Sequence, residues 1–136
     1  MMELRDILYG VRITSTCGDM DRSVQGVAFD SRLVKPEFIF VALKGTKSDG
    51  HGFIEGAIRD GATTIVCEVL PEQVDSRITY ITVKSTTKSL GIICGNFYGN
   101  PSRKLKLVGV TGTNGKTTVA TLLYKLFGAL GHPCGL

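Results

Sequence analysis

A chain of 136 residues, 43% hydrophobic and 21% charged, carries enough apolar side chain for one ordinary core, which excludes disorder over most of its length. The net charge of +4 is modest and its basic residues are scattered, with only Arg103, Lys104 and Lys106 close together, so a nucleic-acid partner is not expected. No apolar run approaches the roughly 18 residues of a membrane span. The opening Met-Met-Glu-Leu-Arg-Asp lacks the pattern of a signal peptide, so no membrane insertion and a cytoplasmic address are expected.

The first predicted element is a short amphipathic helix over Glu3 to Tyr9, which puts Leu4, Ile7 and Leu8 on one face before Gly10 closes it. Strands are predicted over Ser23 to Asp30 and Glu37 to Leu43, with a turn at Lys35-Pro36 between them. The second strand is a continuous apolar run, of the kind buried on both faces of a sheet. After a polar loop from Lys44 to Gly52, Phe53, Ile54, Ala57 and Ile58 recur at helical spacing, and Gly61 supplies a stop. Strands over Thr63 to Val69 and Thr79 to Val83 follow. Ser85 is a plausible N-cap for a helix whose Leu90, Ile93 and Phe97 face inward.

Alternation of strands with helices predicts an α/β fold whose strands are mostly parallel, although the opening strands are compatible with antiparallel pairing. The four cysteines, Cys17, Cys67, Cys94 and Cys134, lie far apart without a C-x-x-C pair; reduced thiols are expected, and Cys67 and Cys94 read as core. Turn-forming residues at Tyr98-Gly99-Asn100-Pro101-Ser102 make the best linker. Beyond them the pattern restarts, with a predicted strand from Leu105 to Val110, a glycine-rich turn and a helix containing Leu122, Leu123, Leu126 and Leu130. One strand and one helix cannot bury each other's apolar faces, so the part after Ser102 is expected to be a piece of a larger domain.

The sharpest chemical signal is Gly112-Thr113-Asn114-Gly115-Lys116-Thr117-Thr118, between that strand and that helix. Glycines let a backbone turn tightly and aim N–H groups at phosphate oxygens, and a helix N-terminus adds partial positive charge. Lys116 would reach the β- and γ-phosphates, and the Thr117 hydroxyl would ligate Mg²⁺. The spacing departs from G-x-x-x-x-G-K-[ST], because position 110 holds Val110. The loop fixes a nucleoside triphosphate as ligand but not the reaction.

The run Thr111 to Thr118 resembles the ATP loop of the Mur ligases and folylpolyglutamate synthetases. Phe29-Asp30-Ser31-Arg32, the run Phe38 to Gly45, Asp49-Gly50-His51-Gly52-Phe53 and Gly61-Ala62 resemble the N-terminal domain shared by the Mur ligases that add the third residue and the terminal dipeptide. Phe97-Tyr98-Gly99-Asn100-Pro101-Ser102 ahead of Leu107 to Thr111 favours the third-residue branch.

The resemblance spans nearly the whole chain and implies a Rossmann-like α/β domain with a mixed sheet over residues 1–100, binding the UDP end of a nucleotide-sugar substrate. Residues 101–136 would be the first strand, phosphate loop and helix of an incomplete ATPase domain. The implied activity is ATP-dependent amide-bond formation: meso-diaminopimelate or L-lysine joins UDP-MurNAc-L-Ala-D-Glu through an acyl phosphate during peptidoglycan synthesis. ATP and Mg²⁺ are the implied cofactors, and the isolated chain is expected to be inactive. The matching motifs place Phe29, Ser31, Thr46, Lys47 and Ser48 at the UDP-sugar substrate, with Lys116 catalytic.

Asp30 and Arg32 read better as a pair that holds the turn, Lys47 as equally suited to solvent, His51 as loop structure and His132 as incidental. Three alternatives stay open: the related ligase that adds D-Ala-D-Ala, a non-catalytic nucleotide-sensing module and a small phosphate-loop kinase. The oligomeric state and the choice of diamino acid are not legible.

Overall fold

The computed structural model describes residues 1–45 and 49–136, which form two compact units, Met1–Lys104 and Leu105–Leu136. In the first unit the elements are β1 (Met2–Glu3), α1 (Leu4–Ile7), β2 (Ile13–Cys17), β3 (Ser23–Val24), β4 (Gly26–Ala28), β5 (Phe38–Val41), α2 (Ile54–Arg59), β6 (Ala62–Cys67), β7 (Thr79–Val83) and α3 (Thr86–Phe97). Short 3-10 turns occupy Ser31–Leu33, Gly50–Phe53 and Pro101–Lys104. Strands β4, β5, β6 and β7 pair in parallel in that spatial order, and β2 adds antiparallel to the outside of β7. The sheet is therefore mixed and mostly parallel, as the alternation of elements predicts.

Successive strand residues point to opposite faces, so a strand apolar at every position needs a cover on both sides. Phe40, Ile65, Cys67 and Tyr80 turn to one face, where Ile54 and Ala57 of α2 pack on them. Their neighbours Ile39, Val41, Val66, Ile81 and Val83 turn to the other, against Leu4 and Ile7 of α1 and Ile93 of α3. Each such side chain, moved from water to a buried site, contributes roughly 1.5–3 kcal/mol before the entropy of ordering it is subtracted. Leu90 and Phe97 pack at the margin of the second cluster, on the inward face expected of α3. Ser85 caps that helix, its side chain accepting from the Lys88 amide at 3.5 Å.

Gly61 has φ +109°, and a Cβ there would lie 2.8 Å from Pro36 Cα. The close approach follows from the Glu37 amide, which donates to the Gly61 carbonyl at 2.9 Å. Glycine at this position thus does more than end α2: it lets the start of β6 lie against the Lys35-Pro36 turn.

Several elements differ from the sequence expectation. The opening helix covers only Leu4–Ile7, because Met2 and Glu3 pair with Val24 and Ser23 in a separate two-stranded ribbon. The strand expected over Ser23 to Asp30 is split at Gln25, whose amide turns to the Glu37 carbonyl at 2.9 Å while its neighbours serve two different sheets. Strand β2 has no counterpart in the reading of the sequence: it is an edge strand exposed at all five positions, so it has no buried face to impose an apolar period.

In the second unit, α4 (Lys116–Ala129) forms over the expected leucine-rich segment. The expected strand from Leu105 to Val110 does not form: this segment lies in no sheet. A strand satisfies its amides and carbonyls only through a neighbouring strand, and Leu105–Leu136 contains none. The first strand of the expected ATPase domain is corrected accordingly.

Candidate functional site

Four parallel strands bring four carboxyl ends to one edge of the sheet, where open α/β sheets gather ligands. Beyond β4 the chain leaves the ladder at Phe29, 59% exposed, and enters the 3-10 turn at the half-buried Ser31. The Asp30 carboxylate closes this turn. It accepts from the Arg32 amide at 3.1 Å, from Arg32 Nε at 2.9 Å and from Arg32 Nη2 at 2.6 Å. The Arg32 side chain, followed by its amide, holds the Asp30 carboxyl at about 2. This contribution is complete above the ordinary carboxylate range and fades as pH falls toward 2; at an exposed pair it is small. Asp30 and Arg32 therefore serve the turn, and the turn presents Phe29 and Ser31.

Beyond β5, Lys44 and Asp49 face each other in an isolated antiparallel bridge, and the Gly50 amide donates to the Leu43 carbonyl at 2.8 Å. A Cβ on Gly50 would lie 2.7 Å from both the nitrogen and the oxygen of Leu43, so this closure needs glycine. Thr46, Lys47 and Ser48, expected at the substrate, lie outside the described residues. Asp49 accepts from the His51 amide at 3.0 Å and contacts ring Nδ1 at 2.6 Å; the amide bond first, then the ring, hold its carboxyl below the ordinary range. Ring Nε2 accepts from the Glu68 amide at 2.9 Å and from the Val69 amide at 3.4 Å. An Nε2 that accepts leaves the proton on Nδ1, the tautomer that donates to Asp49.

At the end of β6, Glu68 continues the chain of contacts: its Oε1 accepts from the Thr86 amide at 2.9 Å and from Thr86 Oγ1 at 3.1 Å, in the first turn of α3. A hollow of about 310 Å³ opens beside these groups, lined by Lys44, Asp49, His51, Ile54, Glu68 and Glu72 among others. Sequence reasoning did not single out Glu68 or Thr86. The available signal was an acid placed directly after a buried apolar run, together with a threonine following the N-cap Ser85.

The second unit presents the loop before α4. Gly112 has φ +146° and Gly115 φ +75°, backbone angles that favour glycine, and Gly115 is the N-cap residue of α4 without a side-chain cap bond. The first amides of a 14-residue helix therefore open toward the loop. Lys116 begins the helix and folds back over the loop, with Nζ 2.5 Å from the Gly112 carbonyl and 3.3 Å from that of Thr113. Thr113 and Asn114 lie in the bend between the two glycines, and Thr117 and Thr118 are exposed in the first turn of α4. The loop residues expected to bind nucleotide thus sit together at one helix N-terminus, while Phe29 and Ser31 sit together at the end of β4.

A mostly parallel α/β sheet is followed in the chain by a glycine-lysine-threonine loop at a helix N-terminus, and this combination defines the class to be compared with known proteins. Residues 23–98 match the family model described as "Mur ligase family, catalytic domain", and the chain belongs to the Mur ligase family. It is 50% identical over 135 residues to a UDP-N-acetylmuramoyl-L-alanyl-D-glutamate--2,6-diaminopimelate ligase of Phocaeicola vulgatus, and 51% identical over 136 residues to a ligase of the same name from Cytophaga hutchinsonii. Each match covers 99% of this chain and 28% of the relative, so the chain spans 28% of the length of the curated relatives it matches. Among solved structures, the MurF ligase of Thermotoga maritima in complex with ADP aligns with TM-score 0.54 and 32% identity over 78% of this chain and 24% of that one. A MurF structure from Acinetobacter baumannii aligns with TM-score 0.68 over 95% of this chain and 28% of that one; at 22% identity the likeness is one of fold.

Proposed function

We propose that this chain forms the nucleotide-sugar-binding part, and the head of the ATP-binding part, of a cytoplasmic ligase that joins meso-diaminopimelate to UDP-MurNAc-L-Ala-D-Glu. The observation that carries the reading is the loop Gly112 to Thr118, with two positive-φ glycines and Lys116 at an uncapped helix N-terminus. The names of relatives about half identical over the whole chain support the reaction and the diamino acid, and the ADP held by the Thermotoga maritima relative supports ATP as the energy source.

Carboxylates are poor electrophiles at neutral pH. Phosphoryl transfer from ATP to the side-chain carboxylate of the substrate's D-glutamate gives an acyl phosphate, which the amine of the diamino acid attacks, expelling phosphate and closing the amide. Lys116 is the catalytic residue contributed by this chain: released from the Gly112 and Thr113 carbonyls, its ammonium sits beside the transferred group and offsets the charge gathering there. The amides of Gly112, Thr113, Asn114, Gly115 and Thr118 cradle the phosphates. The exposed Thr117 hydroxyl, one residue into α4, suits a Mg²⁺ ligand, and the ion would supply further charge neutralisation.

Phe29 and Ser31 supply the uridine end: an exposed ring gives the base a stacking surface, and a hydroxyl held on a pinned turn can pair with its polar edge. Thr46, Lys47 and Ser48 join them by sequence resemblance, with Lys47 suited to the diphosphate. In calorimetric titrations of the full-length protein with UDP-MurNAc-L-Ala-D-Glu, Phe29→Ala and Ser31→Ala are each expected to weaken binding about 10-fold, the scale of one lost contact of roughly 1.4 kcal/mol. Wild-type affinity in both variants would remove the uridine from this edge. The 32% identity to the Thermotoga maritima MurF structure favours a second reading, addition of a terminal dipeptide, which product analysis separates from the first.

A further inference from the structure

We propose that His51 is a positioning residue for the nucleotide-sugar substrate: its two ring nitrogens tie the base of the β5–α2 loop to the end of β6, and substrate affinity depends on that tie. The inference rests on the proposed reading of this sheet edge as the UDP-substrate side.

Both ring nitrogens are committed. Nδ1 meets the Asp49 carboxylate at 2.6 Å, and Nε2 receives the Glu68 amide at 2.9 Å and the Val69 amide at 3.4 Å. The His51 side chain is 19% exposed and its bond from the Glu68 amide is part-buried, while its Asp49 partner is 53% exposed. Asp49 belongs to the loop base, facing Lys44 across the bridge, and its carboxylate also holds the His51 amide at 3.0 Å. Glu68 in turn is fixed by its carboxylate on Thr86 at the head of α3. One imidazole thus connects the exit of β5, the exit of β6 and, through Glu68, the helix that follows β7.

Among the described residues, the charged groups around the ring are Asp49, Glu68, Glu72 and Lys44, all lining the same hollow, with Glu55 in the hollow adjoining it. Among the described residues, only Asp49 hydrogen-bonds the ring through a side chain; Glu68 and Val69 reach it through the backbone. A purely electrostatic role would use the ring's charge, whereas this geometry uses its shape, a donor and an acceptor on opposite sides of a rigid plane. Fixing the strand ends that border a binding site before the ligand arrives removes an ordering cost that would otherwise be subtracted from affinity. The expected signature is therefore a change in substrate KM and not in the chemical step.

The test is steady-state kinetics of the full-length protein with His51→Ala, His51→Gln and His51→Asn, alongside thermal melting. H51A is expected to raise the KM for UDP-MurNAc-L-Ala-D-Glu about 10-fold while kcat and the KM for ATP change less than about 2-fold. H51Q keeps an acceptor for the Glu68 amide, and H51N keeps a donor for Asp49, so each is expected to recover part of the lost affinity. Wild-type KM in a folded H51A, or losses shared equally by kcat and the KM for ATP, would overturn the inference. Should H51A fail to fold, H51Q and H51N decide on the same criteria. A wild-type protein with no saturable dependence on the nucleotide sugar would overturn the parent reading and this inference together, whereas wild-type affinity in H51A overturns this inference alone.

Discussion

Replacing Lys116 by Ala in the full-length protein is expected to lower ligase turnover by about 100- to 1000-fold, the scale on which a single group that stabilises transition-state charge contributes. Two features of the loop set this size. Among the described residues the ammonium has no acidic partner: its hydrogen bonds go to the Gly112 and Thr113 carbonyls, which can release it to an arriving phosphate without breaking an ion pair. It also stands at the head of a 14-residue helix whose free amides face the same way, so the anion meets a fixed array of donors. Lys116→Arg keeps the charge but not the compact ammonium and is expected to recover only a small fraction. Turnover within about 2-fold of wild type in K116A, measured as ADP release, would remove this loop from the chemistry.

Phe40→Ala is expected to cost about 3–5 kcal/mol of stability, enough to unfold a marginal domain. Phe40 is 1% exposed and lies in β5, the strand between β4 and β6, where its ring packs with Ile65, Tyr80 and Ala57 on the α2 face. The face opposite is filled independently by Ile39 and Val41, so neither set can slide over to close the cavity. Urea unfolding monitored by circular dichroism measures the loss. A change below about 1 kcal/mol would mean that the two faces do not pack as separate cores. Leu43 and Lys44 follow the exit of strand β5, so the same substitution is expected to loosen the proposed substrate edge as well.

The parts of the fold legible in the sequence are those whose burial imposes a pattern. Phe38 to Val41 and Thr79 to Val83 are strands because every second residue meets a different core, and Ser85 announces α3 because a side-chain oxygen satisfies an amide the helix leaves open. Strand β2 was not legible, since Ile13 to Cys17 have no buried side and are held by backbone pairing with β7 alone. The break at Gln25 is invisible for a related reason: a contact with Glu37, distant in the chain, decides it. Leu105 to Val110 reads as a strand from composition, yet strand formation is a property of a pair.

The site divides along the same line. Asp30 and Arg32 are two residues apart, and their pairing across a turn follows from local chemistry. The contact of His51 with the Glu68 amide joins positions 17 residues apart, and no short-range pattern encodes it. Gly112 and Gly115, in the proposed phosphate loop, were readable because positive φ is a local demand.

The most direct measurement is a product assay. The full-length protein is incubated with ATP, Mg²⁺, UDP-MurNAc-L-Ala-D-Glu and meso-diaminopimelate, and the nucleotide sugar is weighed by mass spectrometry. A gain of one diaminopimelate molecule less one water, matched by release of one ADP and one phosphate, is the predicted result; a correctly folded protein that leaves both ATP and the nucleotide sugar unchanged would contradict it.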